Sequence, residues 1–190
     1  SQQVNKIQWL ASGNALYIGT AEGIYRASST NKSEALTPLN MKVVKEVAYR
    51  GAANMEAIGI DNVVLYLSRS RKKINELAAD ANGVGEGLVA TDMTTLADHL
   101  FEADKSIVSM AYQPEPYSCL WCVRNDGVLL GLSYLRKEGV VAWHRHITDG
   151  KFEAVAVVNG VNNNYELWAV VNRTIQGQTR RYIEGMEMPY

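Results

Sequence analysis

Cysteine is scarce in this chain, with only Cys119 and Cys122 among 190 residues. They read C-L-W-C inside 118–123, an apolar stretch with strand character. Residues three apart on a strand point to opposite faces, so a disulfide here would be strained, and two reduced, partly buried thiols are expected. A lone pair of thiols also falls short of a four-ligand zinc site. Charge of one sign is missing too: 19 Lys and Arg stand against 20 Asp and Glu, a net charge of -1. No overall basic field draws such a chain to nucleic acid or membrane, so any DNA contact must be local. Long apolar runs are absent; stretches such as 62–67 fall far short of a membrane span. Residues 1–6 are polar with no apolar core behind them, unlike a signal peptide, and a start without Met suggests a processed or excised chain. No Walker sequence, G-x-S-x-G or H-E-x-x-H occurs. Gly83-Val84-Gly85-Glu86-Gly87 is followed by Leu88 where a G-x-G-x-x-G dinucleotide fingerprint needs its third glycine, and reads as a loop.

What is present is a weak internal repeat. Four apolar stretches carry a Leu–aromatic pair: Leu16-Tyr17, Leu65-Tyr66, Leu120-Trp121 and Leu167-Trp168, at separations of 49, 55 and 47 residues. A polar turn follows each pair, then a returning strand, at 24–27, 73–77, 128–134 and 178–183. Asn125-Asp126-Gly127 is the strongest of these turn signals, because all three residue types tolerate positive φ. Another apolar run precedes each pair, at 7–10, 55–60, 107–112 and 152–158, and a fourth strand is expected at 88–90 and 140–146. Three or four antiparallel strands every ~50 residues match a propeller blade. Strands apolar on both faces, such as 119–123 and 167–171, suit sheets sandwiched between neighbours.

The expected fold is therefore all-β: a propeller-like array of about four antiparallel units of three to four strands, at 7–38, 55–91, 107–147 and 152–186, in one domain over 1–190. One short inserted helix is expected at about 91–103, where Met93, Leu96, Ala97, Leu100 and Phe101 recur at helical spacing and Thr91 or Asp92 can cap. Polar or Gly-rich loops are expected at 28–34, 81–87 and 159–164.

Candidate chemistry is sparse. His144 and His146 share one face of their strand and could hold two edges of a metal site, but a third ligand is missing, since His99 belongs to the expected helix. The plainer reading packs this strand end beside Trp143. Arg69, Arg71, Lys72 and Lys73 crowd a hairpin tip, either as a solvated turn or as a contact to DNA or a neighbouring subunit. Arg180-Arg181 makes a smaller basic site. Ten Tyr and four Trp offer stacking surfaces for glycans, although their placement on repeat strands favours core roles. Glu115, Asp126, Asp149 and Glu166 are the carboxylates a glycan hydrolase would need to pair.

From 8–26 (QWLASGNALYIGTAEGIYR) the chain resembles bacteriophage tail nozzle proteins, the tail tubular protein B-like or packaged-DNA-stabilising group. The same resemblance runs through 64–77 (VLYLSRSRKKINEL), 92–100, 107–113 (IVSMAYQ), 115–131 with its L-W-C-V-R-N-D-G core, 141–149 (VAWHRHITD) and 173–184 (RTIQGQTRRYIE). It implies an internal fragment of a larger, non-enzymatic virion protein with no catalytic, cofactor or metal residues. It further implies a β-propeller-type platform in a hexameric ring around the DNA exit channel. Its neighbours would be other tail proteins (adaptor, tail fibre or spike), with non-specific DNA contact possible, no membrane span, and synthesis in the bacterial cytoplasm. The opposing reading is a carbohydrate-binding module or a tail-associated glycan hydrolase.

Overall fold

The computed structural model describes residues 5–31, 34–80, 87–102, 104–160 and 164–187. The glycine loop at 81–86 and parts of the other two expected loops lie outside them. Within them the chain is all-β and propeller-like in its units: four consecutive antiparallel meanders, each strand pairing with the next in sequence. The first sheet holds β1 (Ile7–Ser12), β2 (Leu16–Thr20), β3 (Gly23–Ser29) and β4 (Met41–Ala48). The second holds β5 (Ile58–Ile60), β6 (Val63–Leu67), β7 (Ile74–Ala79) and β8 (Leu88–Asp92). The third runs β9 (Ile107–Gln113), β10 (Cys119–Arg124), β11 (Leu129–Leu135), β12 (Val140–His146). The fourth has three strands, β13 (Lys151–Asn159), β14 (Tyr165–Ile175) and β15 (Gln178–Met186). The chain gathers into two compact units, Ser1–Asp98 and His99–Tyr190, with two sheets in each.

Local chemistry accounts for the hairpins. Gly127 takes φ 91° and its N–H closes on the Arg124 carbonyl at 3.0 Å, so the Asn-Asp-Gly signal is a real turn between β10 and β11. Between β14 and β15, Gln176 and Gly177 both take positive φ, 52° and 77°, as a two-residue loop matched to the strand twist demands.

All four Leu–aromatic pairs fall on the second strand of their sheet, β2, β6, β10 and β14. Their facing is not uniform. In the first unit, Tyr17 and Tyr66 both enter the core between the two sheets, so the pair on β6 is turned over relative to that on β2. In the second unit Trp121 and Leu167 meet in the shared core, which leaves Trp168 on the outer face of β14, 36% exposed. Alternation dictates this: one residue of each pair must face each way, and the strand's register chooses which.

Two expectations need correction. The first sheet continues past residue 38 to β4, whose pairing with β3 runs from Gly23↔Ala48 to Ser29↔Met41. The short inserted helix expected at about 91–103 is present in shortened form. Thr91 and Asp92 are committed to β8, opposite Glu76 and Asn75, and a 3-10 segment Thr95–Leu100 follows with a non-helical kink at Ala97 (φ -131°, ψ 26°). Sheet pairing takes the residues that would have formed the first helical turn. The apolar spacing still serves burial: Ala97, Leu100 and Phe101 are buried while Leu96 is exposed.

In the first unit the core joins Trp9, Tyr17, Ile24 and Val47 to Val64, Tyr66 and Leu77, with Trp9 and Tyr66 rings 5.5 Å apart. In the second, Trp121, Val123 and Leu129 meet Phe152, Val155, Leu167 and Val171. Burial of such side chains, each worth about 1.5–3 kcal/mol, is the main force holding the sheets face to face.

Candidate functional site

The basic turn lies where expected, between β6 and β7. Serine hydroxyls tie it together: Ser68 Oγ meets Ser70 Oγ at 3.0 Å, and the Lys73 N–H donates to Ser68 Oγ at 3.2 Å. Arg71 supplies the left-handed residue (φ 60°) in place of a glycine. The four cations do not act as one patch. Lys73 Nζ donates to Asp92 Oδ2 at 2.5 Å, and an Arg71 Nη2 donor lies 3.4 Å from the Asn54 carbonyl. Burial pushes the Asp92 carboxyl up, but hydrogen bonds from Lys73 and Thr94 outweigh it and hold the group below its ordinary value. Arg69 is exposed, and its guanidinium has no partner among the described residues.

Arg69 and Lys73 line an open cavity of about 760 Å³ within the first unit, with Lys45, Tyr49, Arg50 and Asp92. Tyr49 is 99% exposed and holds φ 65°, an uncommon and strained conformation for an aromatic residue. Its neighbours are pinned. Arg50 Nη1 donates to the Ala90 carbonyl at 2.6 Å, and Tyr66 Oη donates to the Arg50 carbonyl at 3.4 Å. The Gly51 carbonyl accepts from Arg69 N at 2.9 Å, and a Cβ on Gly51 would stand 1.8 Å from the Ala21 carbonyl oxygen. Lys45 on β4 and Tyr49 and Arg50 just past its end were not found from sequence, because β4 lies outside the expected first unit and nothing in Ala-Tyr-Arg-Gly announces a left-handed tyrosine.

The second candidate is the face of the third sheet that carries His144 and His146. The two imidazoles do share that face, with Nδ1 of His144 2.8 Å from Nε2 of His146. Both pack edgewise or tilted on Trp121, at 5.5 and 5.3 Å. Trp143 alternates to the opposite face and meets Phe101 at 5.1 Å, so it does not pack beside the pair. Cys119 Sγ comes within 3.8 Å of His144 Nε2. Burial, then the charge of His146, lowers the His144 pKa, and burial alone lowers that of His146. Burial pushes the Cys119 thiol up to about 12 and the Cys122 thiol higher still, so neither is a thiolate at neutral pH. Both thiols are free, as expected, and buried more deeply than the partial burial expected. No group of three or more His, Cys, Asp or Glu side chains positioned for a metal occurs among the described residues.

Most of the remaining candidates have structural partners, while Glu115 is exposed in the β9–β10 loop and Asp149 is bonded, among the described residues, only through its backbone carbonyl. Arg124, buried, makes a two-pronged pair with Asp126 and donates Nη1 to the Leu100 carbonyl at 2.6 Å. Glu166 accepts from Trp168 Nε1 at 3.0 Å, and the Asp149 carbonyl accepts from Arg173 at 2.5 Å. Arg181 is tied to Glu153 at 2.6 Å, and Arg180 donates to Gln178 Oε1 at 2.6 Å.

No family model matches the chain, and no curated protein matches it in sequence. Among solved structures it is similar to the WD40 domain of Neurospora crassa Pan2, at 13% identity and a TM-score of 0.48 over 94% of this chain. The chain spans 50% of that structure's length.

Proposed function

We propose that this chain is a non-enzymatic structural element of a bacteriophage tail nozzle, within a hexameric ring that encloses the DNA exit channel. The observation that carries the reading is the ordered, chain-long set of motifs shared with that group. Those motifs coincide with blade-making positions. Trp9 covers Gly19, Thr20 Oγ1 donates to the Gly23 carbonyl at 2.8 Å, and the Arg124–Asp126 pair braces the Asn-Asp-Gly turn. Residues that set how a sheet turns and stacks are what a scaffold requires. Buried, protonated thiols and the engagement of Asp126 by Arg124 and of Glu166 by Trp168 support the non-enzymatic reading. Synthesis would be in the bacterial cytoplasm and residence in the virion tail, against adaptor and fibre or spike proteins.

Quantitative mass spectrometry of purified virions, with immunogold labelling, tests this. Peptides of this chain at about six copies per particle, with gold at the tail, are expected. Absence from particles overturns the reading. Hydrolysis of a glycan panel by the purified chain, abolished by replacing one carboxylate, overturns the non-enzymatic half and favours the glycan hydrolase alternative.

A further inference from the structure

The cavity of the first unit combines features that the blade architecture does not require. A fully exposed tyrosine is held in a left-handed conformation that costs stability, on a segment pinned at both ends. Beside it stand Arg69, without a protein partner among the described residues, and Lys45, whose ammonium lies over the Tyr25 ring at 5.8 Å. The two carboxylates lining the cavity are engaged elsewhere: Asp92 by Lys73 and Thr94, and Glu22 by Asn5 at 2.9 Å. Lys45, Arg50, Arg69 and Lys73 outnumber these two carboxylates in the lining, so the local field is positive in a chain of net charge -1. A space of about 760 Å³ is the size of a small-ligand pocket rather than a duplex-wide groove.

We propose that this cavity binds a phosphate carried on a planar ring, the chemistry of a nucleotide unit in a single nucleic-acid strand. The phosphate sits between Arg69 and Lys45, and the ring stacks on Tyr49. Ser70 and Asn75, which also line the cavity, offer hydrogen bonds to ring or sugar edges. Cations interleaved with an exposed aromatic are the recognition chemistry of single strands, whose bases are free to leave the helix and stack on a side chain. A duplex keeps its bases inward and gives Tyr49 nothing to stack on. The nozzle reading is not required for this site, since a duplex passing through a channel uses phosphate contacts alone.

The test is fluorescence anisotropy of a labelled twelve-residue oligo(dT) with the whole 190-residue chain, against a hairpin duplex of equal phosphate count. Tighter binding of the single strand is expected, weakening by about 0.7 log units per tenfold salt for the one contacted phosphate. Arg69→Ser should weaken it about tenfold. Tyr49→Asn keeps a residue type that accepts the left-handed backbone, so it should leave thermal stability equal or higher. It should still weaken binding about 5- to 50-fold, within the range of lost base stacking. Thymidine monophosphate should compete, and glucose 1-phosphate should not. Equal binding of duplex and single strand, or indifference to Tyr49→Asn, overturns the ring contact and leaves a simple phosphate patch. Equal competition by the sugar phosphate overturns the nucleotide assignment in favour of a phosphosugar. No oligonucleotide binding at 50 mM salt overturns the proposal, and none of these results bears on whether the chain resides in a tail.

Discussion

Trp9 and Gly19 face each other across β1 and β2, and a Cβ on Gly19 would lie 2.1 Å from the indole. Gly131 and His144 repeat the arrangement between β11 and β12, with the imidazole 2.0 Å from where a Cβ would stand. Each glycine makes room for a ring that fills the core over its bare backbone. Gly19→Ala is therefore expected to destabilise by about 1–3 kcal/mol through overpacking, read as a lower urea midpoint. Gly59→Ala, with nothing near its added methyl, should change the midpoint little. Asp126 gives a second residue-level expectation. The Arg124 guanidinium hydrogen-bonded to it holds its carboxyl below the ordinary value. A depressed carboxylate contributes stability that is present above its unfolded pKa of about 3.9 and lost as pH falls through the folded pKa. Asp126→Asn should cost about 1–2 kcal/mol at pH 7, discounted for the 39% exposure of Asp126, and the difference from the parent should close in strong acid.

At the scale of elements, turns and registers divide the work. The β14–β15 loop uses Gln176 at φ 52° before Gly177, where Asn is the favoured partner for glycine. Gln176→Asn should raise stability by about 0.5–1 kcal/mol, seen as a higher thermal midpoint with an unchanged circular dichroism spectrum. Strand β12 carries the imidazole pair. Its members are half-buried and joined by one N–H···N contact that two imidazolium ions cannot make. Because both pKa values are lowered by burial, the unfolded chain binds more protons just below pH 6.5. Stability should be full above that pH and fall as pH drops from 6.5 toward the folded values. Urea midpoints at pH 7.5, 6.5 and 5.5 check this, and His146→Gln should flatten the slope.

For the whole molecule, near-zero net charge confines nucleic-acid contact to particular side chains. Of the cations at the β6–β7 turn, Lys73 is neutralised by Asp92, so Arg69 should carry most of any contact the turn makes. Under the proposed nozzle role, Arg69→Ser should reduce DNA retention in virions nearly as far as the combined Arg69→Ser, Arg71→Ser, Lys73→Ser variant, with assembly intact because Arg69 is exposed. Loss of assembled tails in the single variant would place Arg69 in a subunit interface, and unchanged retention in both would return the turn to solvent.

The residue pattern alone determined the all-β class, the meander order and the strand bearing each Leu–aromatic pair, because strand periodicity and turn chemistry act over a few neighbouring residues. It also placed both imidazoles on one face, since alternation needs no tertiary information. Tertiary structure decided what depends on which partner wins a residue. Pairing with β7 drew Thr91 and Asp92 into β8 and cut the helix their spacing suggested down to the 3-10 turn Thr95–Leu100. Register turned Tyr66 toward the same core as Tyr17 and left Trp168 on an outer face. The cavity gathers Lys45, Tyr49, Arg69 and Asp92 from sequence positions up to 47 residues apart. Such a convergence exists only once two sheets have packed, because it is made by the ends of different strands rather than by any stretch of chain.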